Sequence, residues 1–351
     1  MSTRRHFLQT TAAFGAFNIL HAQDKAGSKR PVLGIDGHRY EVYHDWLTPP
    51  QGLLWGDTHG VAQDAQGRIY IGHTVNPASV KKDAIVVFDQ EGKFITSWGE
   101  QFAGGTVGGA HGLDIRDEGG TEFIYHCDNA HQTFTKTTLD GKVLWQKGYP
   151  KEAPPYAGKE PIKWNCTNIA FHPDGDFYVA DGYGSAYILR YDKDANFKGI
   201  IGSPGSADGQ FKNTHGLWVD TRHSPAKLVV ADRGNGRMQI LNLDGQHERT
   251  IKVPGKLRLP CHFHVRGDLM VCPDLYSVVH LFDKDYNLIT SLGDGKEPNQ
   301  KKPWPLRMEP REKFIDGKFI TPHDAMILAN GDILVTEWVP VGRVTLLKKV
   351  G

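Results

Sequence analysis

Residues 215–232 read HGLWVDTRHSPAKLVVAD, and the predicted architecture follows from this stretch. It contains a histidine, a short apolar strand, a turn and a second apolar strand that ends in an aspartate. Five other segments share this form: HGVAQDAQGRIYIGH (59–73), HGLDIRDEGGTEFIYHCD (111–128), TNIAFHPDGDFYVAD (167–181), CHFHVRGDLMVCPD (261–274) and HDAMILANGDILVTE (323–337). The six copies start 52, 56, 48, 46 and 62 residues apart, so the chain is a repeat of about fifty residues.

Two further strand-like runs follow each copy, separated by a turn. They are clearest in IVVFDQEGKFITSW (85–98), YILRYDKDANFKGIIG (187–202) and VVHLFDKDYNLITSLG (278–293). Four antiparallel strands in each repeat are typical of a propeller blade. We therefore predict an all-β, six-bladed β-propeller that forms one domain over residues 31–351. The last repeat has three strands of its own, and residues 38–46 (HRYEVYHDW) are expected to supply the fourth and close the ring.

Composition agrees with this class and excludes several functions. Forty glycines and twenty prolines in 351 residues indicate many turns, and 39% apolar residues are enough for a buried core. The formal net charge is +1, without a basic block beyond the first thirty residues. Nucleic acid is therefore not expected as a partner. No later segment approaches the ~20 apolar residues of a membrane span.

The first thirty residues differ from the rest and are predicted to be an export signal with a linker. Arg4 and Arg5 precede Phe7, Leu8 and a modestly apolar, alanine-rich stretch, as in twin-arginine signals. We expect a protein that is exported to the periplasm or the medium. Because an oxidising compartment permits disulfides, two bridges are considered.

The first of these disulfides would join Cys261 to Cys272 across a hairpin that turns at Arg266–Gly267. The second would join Cys127 to Cys166.

Four histidines occupy the same place in their repeats, at the start of the first strand of a blade: His59, His111, His215 and His323. The second strand runs antiparallel to the first, so its end lies on the same face of the ring. Blade 1 has His73 at the end of this strand. In most repeats the strand ends in an acidic residue: Asp128, Asp181, Asp232 or Glu337. Tyr183 and Arg233 follow in the next turns. We predict that these groups converge at one mouth of the channel.

Three histidines with an open fourth position are a catalytic zinc pattern, because the open position takes water or substrate. Two alternatives remain at this point. The histidines could be a hydrogen-bonded lining of a wet channel. The carboxylates could bind calcium through their oxygens, or could serve to hold the ring together.

The strings FYVADGYGSAYILRYD (177–192), GQFKNTHGLWVD (209–220) and VVADRGNGRMQIL (229–241) resemble the NHL-repeat propellers. More narrowly, they are similar to the lyase domain of the peptide-amidating system, which cleaves peptidyl-α-hydroxyglycine. The resemblance implies zinc on three histidines, His111, His215 and His323. It also implies Tyr183 as a catalytic residue, Arg233 as an active-site arginine, and a calcium site near Asp324.

Blade 1 departs from the family pattern. The family has an arginine at the end of the second strand, where this chain reads YIGHTVN (70–76) with His73, and His59 is additional. The substrate is therefore expected to differ, with specificity located in blade 1.

The preferred hypothesis is a metal-dependent lyase or hydrolase with zinc or another divalent ion and a small-molecule, peptide or sugar substrate. The long connections 149–165 and 294–321 would wall the pocket, with Trp164, Trp304 and Trp338 as wall candidates. One alternative is a non-enzymatic NHL-type binding module for a peptide, glycan or protein. Another is a calcium-dependent, lactonase-like propeller.

Overall fold

The computed structural model describes residues 30–104, 109–295 and 306–350, and these residues fold as a six-bladed β-propeller. Residues from Pro31 onward form one compact unit. Two N-terminal strands come first: β1 (Val32–Ile35) and β2 (His38–Tyr43). None of the described residues belongs to a helix that is long and apolar enough to cross a membrane.

Each of the first three blades is a four-stranded antiparallel sheet in simple sequence order. Blade 1 contains β3 (Trp55–Gln63), β4 (Ile69–Val75), β5 (Ile85–Phe88) and β6 (Phe94–Trp98). Blade 2 contains β7 (Ala110–Asp117), β8 (Glu122–Asp128), β9 (Thr133–Thr138) and β10 (Val143–Lys147). Blade 3 contains β11 (Asn168–Phe171), β12 (Phe177–Ala180), β13 (Ile188–Tyr191) and β14 (Phe197–Ile201).

A short parallel pair, β15 (Ser203–Pro204) and β16 (Gln210–Phe211), precedes blade 4. Blade 4 contains β17 (Thr214–Asp220), β18 (Lys227–Asp232), β19 (Arg237–Leu241) and β20 (His247–Ile251). Blade 5 contains β21 (His264–Arg266), β22 (Leu269–Asp274), β23 (Val278–Phe282) and β24 (Leu288–Leu292). Blade 6 begins with β25 (Pro322–Ile327), β26 (Ile333–Glu337) and β27 (Arg343–Lys349).

The ring closes as predicted, because β2 pairs with β27 and completes blade 6. The pairing is antiparallel, with Tyr40 opposite Lys349 and Tyr43 opposite Leu346. A fifth strand, β1, which the repeat does not predict, continues this sheet outward through a turn at Asp36–Gly37. Both ends of the described propeller therefore lie in one blade.

The apolar side chains fill the spaces between neighbouring blades. Between blades 2 and 3 the core is aromatic, with Phe134, Phe177 and Tyr191 fully buried or nearly so. Between blades 5 and 6 it includes Tyr40 and Val42 from β2, so closure also buries apolar surface. The first strands of the blades contact one another around the ring and form its inner wall.

The hairpin of blade 5 has a different register from the predicted one. Arg266 pairs with Leu269, so the turn residues are Gly267 and Asp268, with Gly267 in the left-handed region at φ 56°. Because the register is shifted, Cys261 does not face Cys272. The predicted Cys261–Cys272 disulfide is therefore wrong.

Cys127 and Cys166 are not bridged either. All four cysteines of the chain lie among the described residues, and all are free and buried. The Cys166 thiol instead donates to the carbonyl oxygen of Thr133 at 3.1 Å.

Candidate metal centre

Four buried histidines form a ring at the inner wall, one each from blades 1, 2, 4 and 6. They are His59, His111, His215 and His323, and each is 2–4% exposed. Ring centroids of neighbours lie 4.8–5.0 Å apart, and those of His111 and His323 lie 4.6 Å apart across the ring. The convergence predicted from the repeat is therefore present for all four. One correction concerns β3, which begins at Trp55, so His59 lies inside its strand, within the register shift between Thr58 and Val61.

The neighbouring blade orients two of these imidazoles. Nδ1 of His111 lies 2.8 Å from the carbonyl oxygen of Thr167, and Nδ1 of His215 lies 2.8 Å from that of Cys261. A carbonyl oxygen can only accept, so both Nδ1 atoms carry the proton and both Nε2 atoms present a lone pair. Metal-ligating histidines are typically held by this kind of bond.

The glycine after each of these histidines makes this bond possible. A Cβ on Gly112 would lie 2.3 Å from the Thr167 carbonyl oxygen, and a Cβ on Gly216 would lie 2.2 Å from that of Cys261. Any side chain would push away the acceptor that orients the histidine. The His-Gly pairs of blades 2 and 4 thus share one structural reason.

Tyr183 lies between two of the histidines. Its hydroxyl is 3.2 Å from Nε2 of His111 and 3.0 Å from Nε2 of His215. The guanidinium of Arg233 lies 5.2 Å from the centroid of the Tyr183 ring, and its Nη1 is 3.9 Å from the Cys261 sulfur. Tyr183 and Arg233 are therefore where the resemblance places them, against the histidine ring.

The hydrogen bonds of the ring are incomplete. One hydroxyl proton cannot satisfy the lone pairs of both His111 and His215. In addition, Nδ1 of His59 and Nε2 of His323 are buried without a hydrogen-bond partner among the described residues. Leaving buried polar atoms unpaired costs about 1–3 kcal/mol each. The ring therefore fits a cation that accepts lone pairs.

Burial keeps these imidazoles neutral. It lowers the pKa of His111 to about 3, against the opposing effect of the Thr167 carbonyl. Burial also lowers the pKa of His59, His215 and His323 well below the usual range, and nearby positive charges add to it. Neutral imidazole is the form that binds metals.

The structure refines which histidines can share an ion. One ligand atom from each of His59, His111 and His323 lies within 4.8 Å of the other two, so this group can hold a metal ion. Two of the three predicted ligands belong to it. The third predicted ligand, His215, lies beside His111 and His323 in the same ring.

A second polar layer, formed by Asp114, His262 and Asp324, lies beside the histidine ring. Nδ1 of His262 is 2.7 Å from Asp324, and its Nε2 is 3.7 Å from Asp114. Burial opposes a charge on His262, but Asp324 and Asp114 raise its pKa to about 9. Burial raises the pKa of Asp114 to about 7. Asp324 also accepts from the backbone N–H of Val61 at 3.0 Å, so a histidine and a backbone donor surround its carboxylate.

Asp181 and Asp232 are buried at the ends of their strands and bind their own blades. Asp181 accepts from Tyr156, from the N–H of Asn165 and from the N–H of Ser185, at 2.6–2.7 Å. Asp232 accepts in the same way from the N–H of Lys212, and from three side chains: Asn235, Arg237 and Gln239.

His73 replaces these carboxylates in blade 1. Its Nε2 is 3.0 Å from the carbonyl oxygen of Asp83, and its Nδ1 is 3.1 Å from the carbonyl oxygen of Thr74 and 3.3 Å from the backbone nitrogen of Gly56. Burial lowers its pKa to about 4. His73 thus contacts β3 itself, at Gly56, whereas Asp181 and Asp232 bind the connections before the first strands of their blades.

An ion pair near His59 was missed by the sequence analysis. Arg307 contacts Asp57 at 2.8 Å, stacks 3.6 Å from the centroid of Trp338, and its positive charge acts on His59. Burial raises the pKa of Asp57 to about 6, although Arg307 opposes this shift. The connection that carries Arg307 has no counterpart in the repeat, so no pattern could have indicated the contact.

The tryptophans predicted to wall the pocket lie in different places. Trp338 lies beside Arg307, whereas Trp164 is buried in the core between blades 2 and 3 and donates to the carbonyl oxygen of Gln132. Trp304 lies outside the described residues.

Comparisons with known proteins agree with the repeat and the fold. No family model matches the chain. NHL repeat-containing protein 3 of Homo sapiens is 25% identical over 213 residues, 58% of this chain and 57% of that protein. The chain thus spans about half the length of this relative. Peptidyl-glycine alpha-amidating monooxygenase B of Xenopus laevis is 34% identical over 92 residues, 24% of this chain and 10% of that protein.

Solved propellers share the fold at low sequence identity. A streptogramin B lyase structure superposes with a TM-score of 0.55 at 13% identity, covering 88% of this chain and 97% of that one. A virginiamycin B lyase from Staphylococcus aureus gives 0.53 at 12% identity, covering 88% of this chain and all of that one. With its six blades and these similarities, the chain is a β-propeller that is similar to the NHL repeat-containing proteins and, over 92 residues, to a peptide-amidating monooxygenase.

Proposed function

We propose that the protein is a metal-dependent lyase or hydrolase that resembles the peptidyl-α-hydroxyglycine lyases, with its centre at the histidine ring. One observation carries this proposal: four neutral imidazole nitrogens and the Tyr183 hydroxyl converge with too few protons to satisfy them. His111, His215 and His323 would hold the ion. Zinc is the ion we expect, because neutral imidazoles suit it. When bound, such an ion polarises a substrate oxygen.

Tyr183 would act as the general base. As a phenolate, its oxygen would take the proton of the substrate α-hydroxyl while the carbonyl forms and the carbon–nitrogen bond breaks. The nitrogen leaves as an amide after it gains a proton, and the other product is a carbonyl compound, which is glyoxylate when the substrate is a peptidyl-α-hydroxyglycine. Arg233, buried above the Tyr183 ring, would stabilise the negative charge on the phenolate. The substrate class is a small molecule or peptide with an α-hydroxyl beside an amide nitrogen.

Elemental analysis tests the metal. Protein purified without a histidine tag should contain a divalent transition metal near one per chain, and the His111→Ala/His215→Ala double variant should lose it. Absence of any such metal after loading would overturn the proposal. Incubation with a peptidyl-α-hydroxyglycine should release glyoxylate; a metal-loaded protein that releases none would exclude this reaction and leave the metal site standing.

We also propose export by the twin-arginine route, on the basis of Arg4 and Arg5. When the full chain is expressed, the protein found outside the cytoplasm should lack the N-terminal signal. The Arg4→Lys/Arg5→Lys variant should accumulate inside the cell at full length. Equal export of both proteins would contradict the proposal.

A further inference from the structure

His59 belongs to the ring but differs from the other histidines in how it is held. Its Nε2 lies 2.9 Å from the hydroxyl of Thr74, in its own blade. No carbonyl of the next blade takes its Nδ1, which is buried without a partner among the described residues. When Nε2–H donates to the Thr74 hydroxyl, Nδ1 is left with a lone pair.

His59 and His215 occupy opposite corners of the ring, and both are neighbours of the pair His111 and His323. Centroid distances from this pair are 5.0 and 4.9 Å to His59, and 4.9 and 4.8 Å to His215. Two triangles of imidazole rings therefore share one edge, and in the triangle of His59, His111 and His323 one ligand atom of each lies within 4.8 Å of the other two. His111 has already given Nδ1 to a carbonyl, so it has a single nitrogen for a metal. Two separate ions could not both use it.

We propose that His59 is a fourth histidine ligand, through Nδ1, of the ion held by His111, His215 and His323. This inference rests on the proposed metal site and goes beyond its three ligands. A shared ion gives the otherwise unpaired Nδ1 of His59 a partner and uses one nitrogen from each histidine. Four imidazoles fill a four-coordinate ion, so a substrate needs a fifth position. The ion would therefore have to accept a fifth ligand, as zinc does in some catalytic sites.

Affinity and ligand counting test the proposal without an activity assay. Competition with a chelator would measure zinc and cobalt affinity in the wild type, His59→Ala and His59→Gln, and X-ray absorption would count the imidazoles on the bound zinc. We expect roughly a 10- to 100-fold or greater loss of affinity in both variants, the scale seen on disturbing ligand shells. The imidazole count should fall from four to three. His131→Ala, which removes a half-exposed histidine outside the ring, should match the wild type.

The outcomes separate this inference from the proposed function. If the wild type binds metal, and both His59 variants keep its affinity with three imidazoles in every protein, His59 is not a ligand while the three-histidine site stands. If the wild type binds no metal, both proposals fail. Thermal unfolding of the metal-free proteins identifies a folding defect; His59→Gln, with its amide able to contact Thr74, then decides the question.

Discussion

At the residue scale, the histidine ring depends on groups that never touch its centre. A carbonyl of the next blade fixes the protonated nitrogen of His111 and of His215. Gly112 and Gly216 let those carbonyls approach. Each of these two histidines is thus positioned by two blades, so the histidine ring depends on the correct stacking of the blades.

Gly112→Ala should weaken metal binding although Gly112 is not a ligand. The new methyl group would meet the Thr167 carbonyl oxygen and displace it from His111. We expect roughly a 10- to 100-fold loss of zinc affinity, as for other outer partners of ligands. Chelator competition measures it. Gly199→Ala, whose Cβ would meet nothing within 4 Å, is the matched control and should bind normally.

Tyr183→Phe should remove most of the turnover and keep the metal. The hydroxyl is the proposed base, and general bases contribute roughly 10²- to 10⁴-fold to the rate. Steady-state kinetics and elemental analysis on the same preparation measure both quantities. Tyr187→Phe, outside the ring, is the control. Turnover equal to the wild type would remove Tyr183 from the mechanism.

At the element scale, one device recurs at the end of the second strand of the blades. An acidic side chain there accepts backbone N–H groups from the connection that leads into the first strand. Asp274 accepts from Arg258 and Leu259, and Glu337 accepts from Ile320 and Thr321, as Asp181 and Asp232 do in their blades. The carboxylates thereby fix the start of the inner strands, where the histidines lie.

Asp274→Asn should destabilise the propeller. The amide NH₂ group would face backbone donors, leaving at least one buried N–H unpaired at a cost of about 1–3 kcal/mol. Urea unfolding measures the free energy of unfolding. Asp285→Asn, at an exposed turn, should change it little. A loss no greater than that of the control would show that the carboxylate charge is dispensable there.

The sequence predicted the strands and the histidine ring well, because both follow from the register of the repeat. It predicted the second layer less well. In each blade, one position follows the ring histidine or its counterpart in the repeat. This position is a glycine in three blades, and it is His262, Asp324 and Asn168 in the others. A histidine and an aspartate at a position that is glycine in three blades could have indicated the second polar layer. The Arg307–Asp57 contact was not predictable, because it joins a non-repeating connection to β3.

At the scale of the whole molecule, strand pairing between the two ends of the chain closes the circle of six blades. β2 pairs with β27, and His44, just after β2, joins two further segments. Its Nδ1 lies 2.8 Å from the Thr345 hydroxyl, and its Nε2 accepts from the N–H of Gly317 at 3.0 Å. Closure therefore combines backbone pairing, buried apolar surface and one neutral histidine.

Deletion of residues 31–44 should break the closure between β2 and β27 that completes the propeller. The edge of β27 would be left unpaired, and an exposed strand edge promotes association with other chains. Size-exclusion chromatography and thermal unfolding should show a less stable, self-associating protein. A synthetic peptide of residues 31–44 should restore the elution volume and the stability of the undeleted protein. Deletion of residues 2–29 is the control; equal behaviour of the two deletions would contradict this role.

His44 should make closure sensitive to acid. Burial and the charge of Arg343 lower its pKa to about 2, whereas the unfolded chain has an ordinary value near 6.5. The unfolded state therefore binds the extra proton, and stability present above pH 6.5 is lost as the pH falls. Between about pH 7.5 and about pH 5, the wild type should lose about 2 kcal/mol relative to His44→Gln. Urea unfolding at both pH values measures this; a pH-independent difference would contradict it.

Pairing between β2 and β27 also means that the propeller can close only when synthesis of the chain is nearly complete. The ribosome completes residues 38–43 long before residues 343–349, with about three hundred residues between them. At roughly 5–20 residues per second, this interval is on the order of 15–60 seconds. During that time the first blades can stack while the N-terminal hairpin waits for its partner. An export pathway that accepts folded cargo would receive this protein only after the last strand has docked.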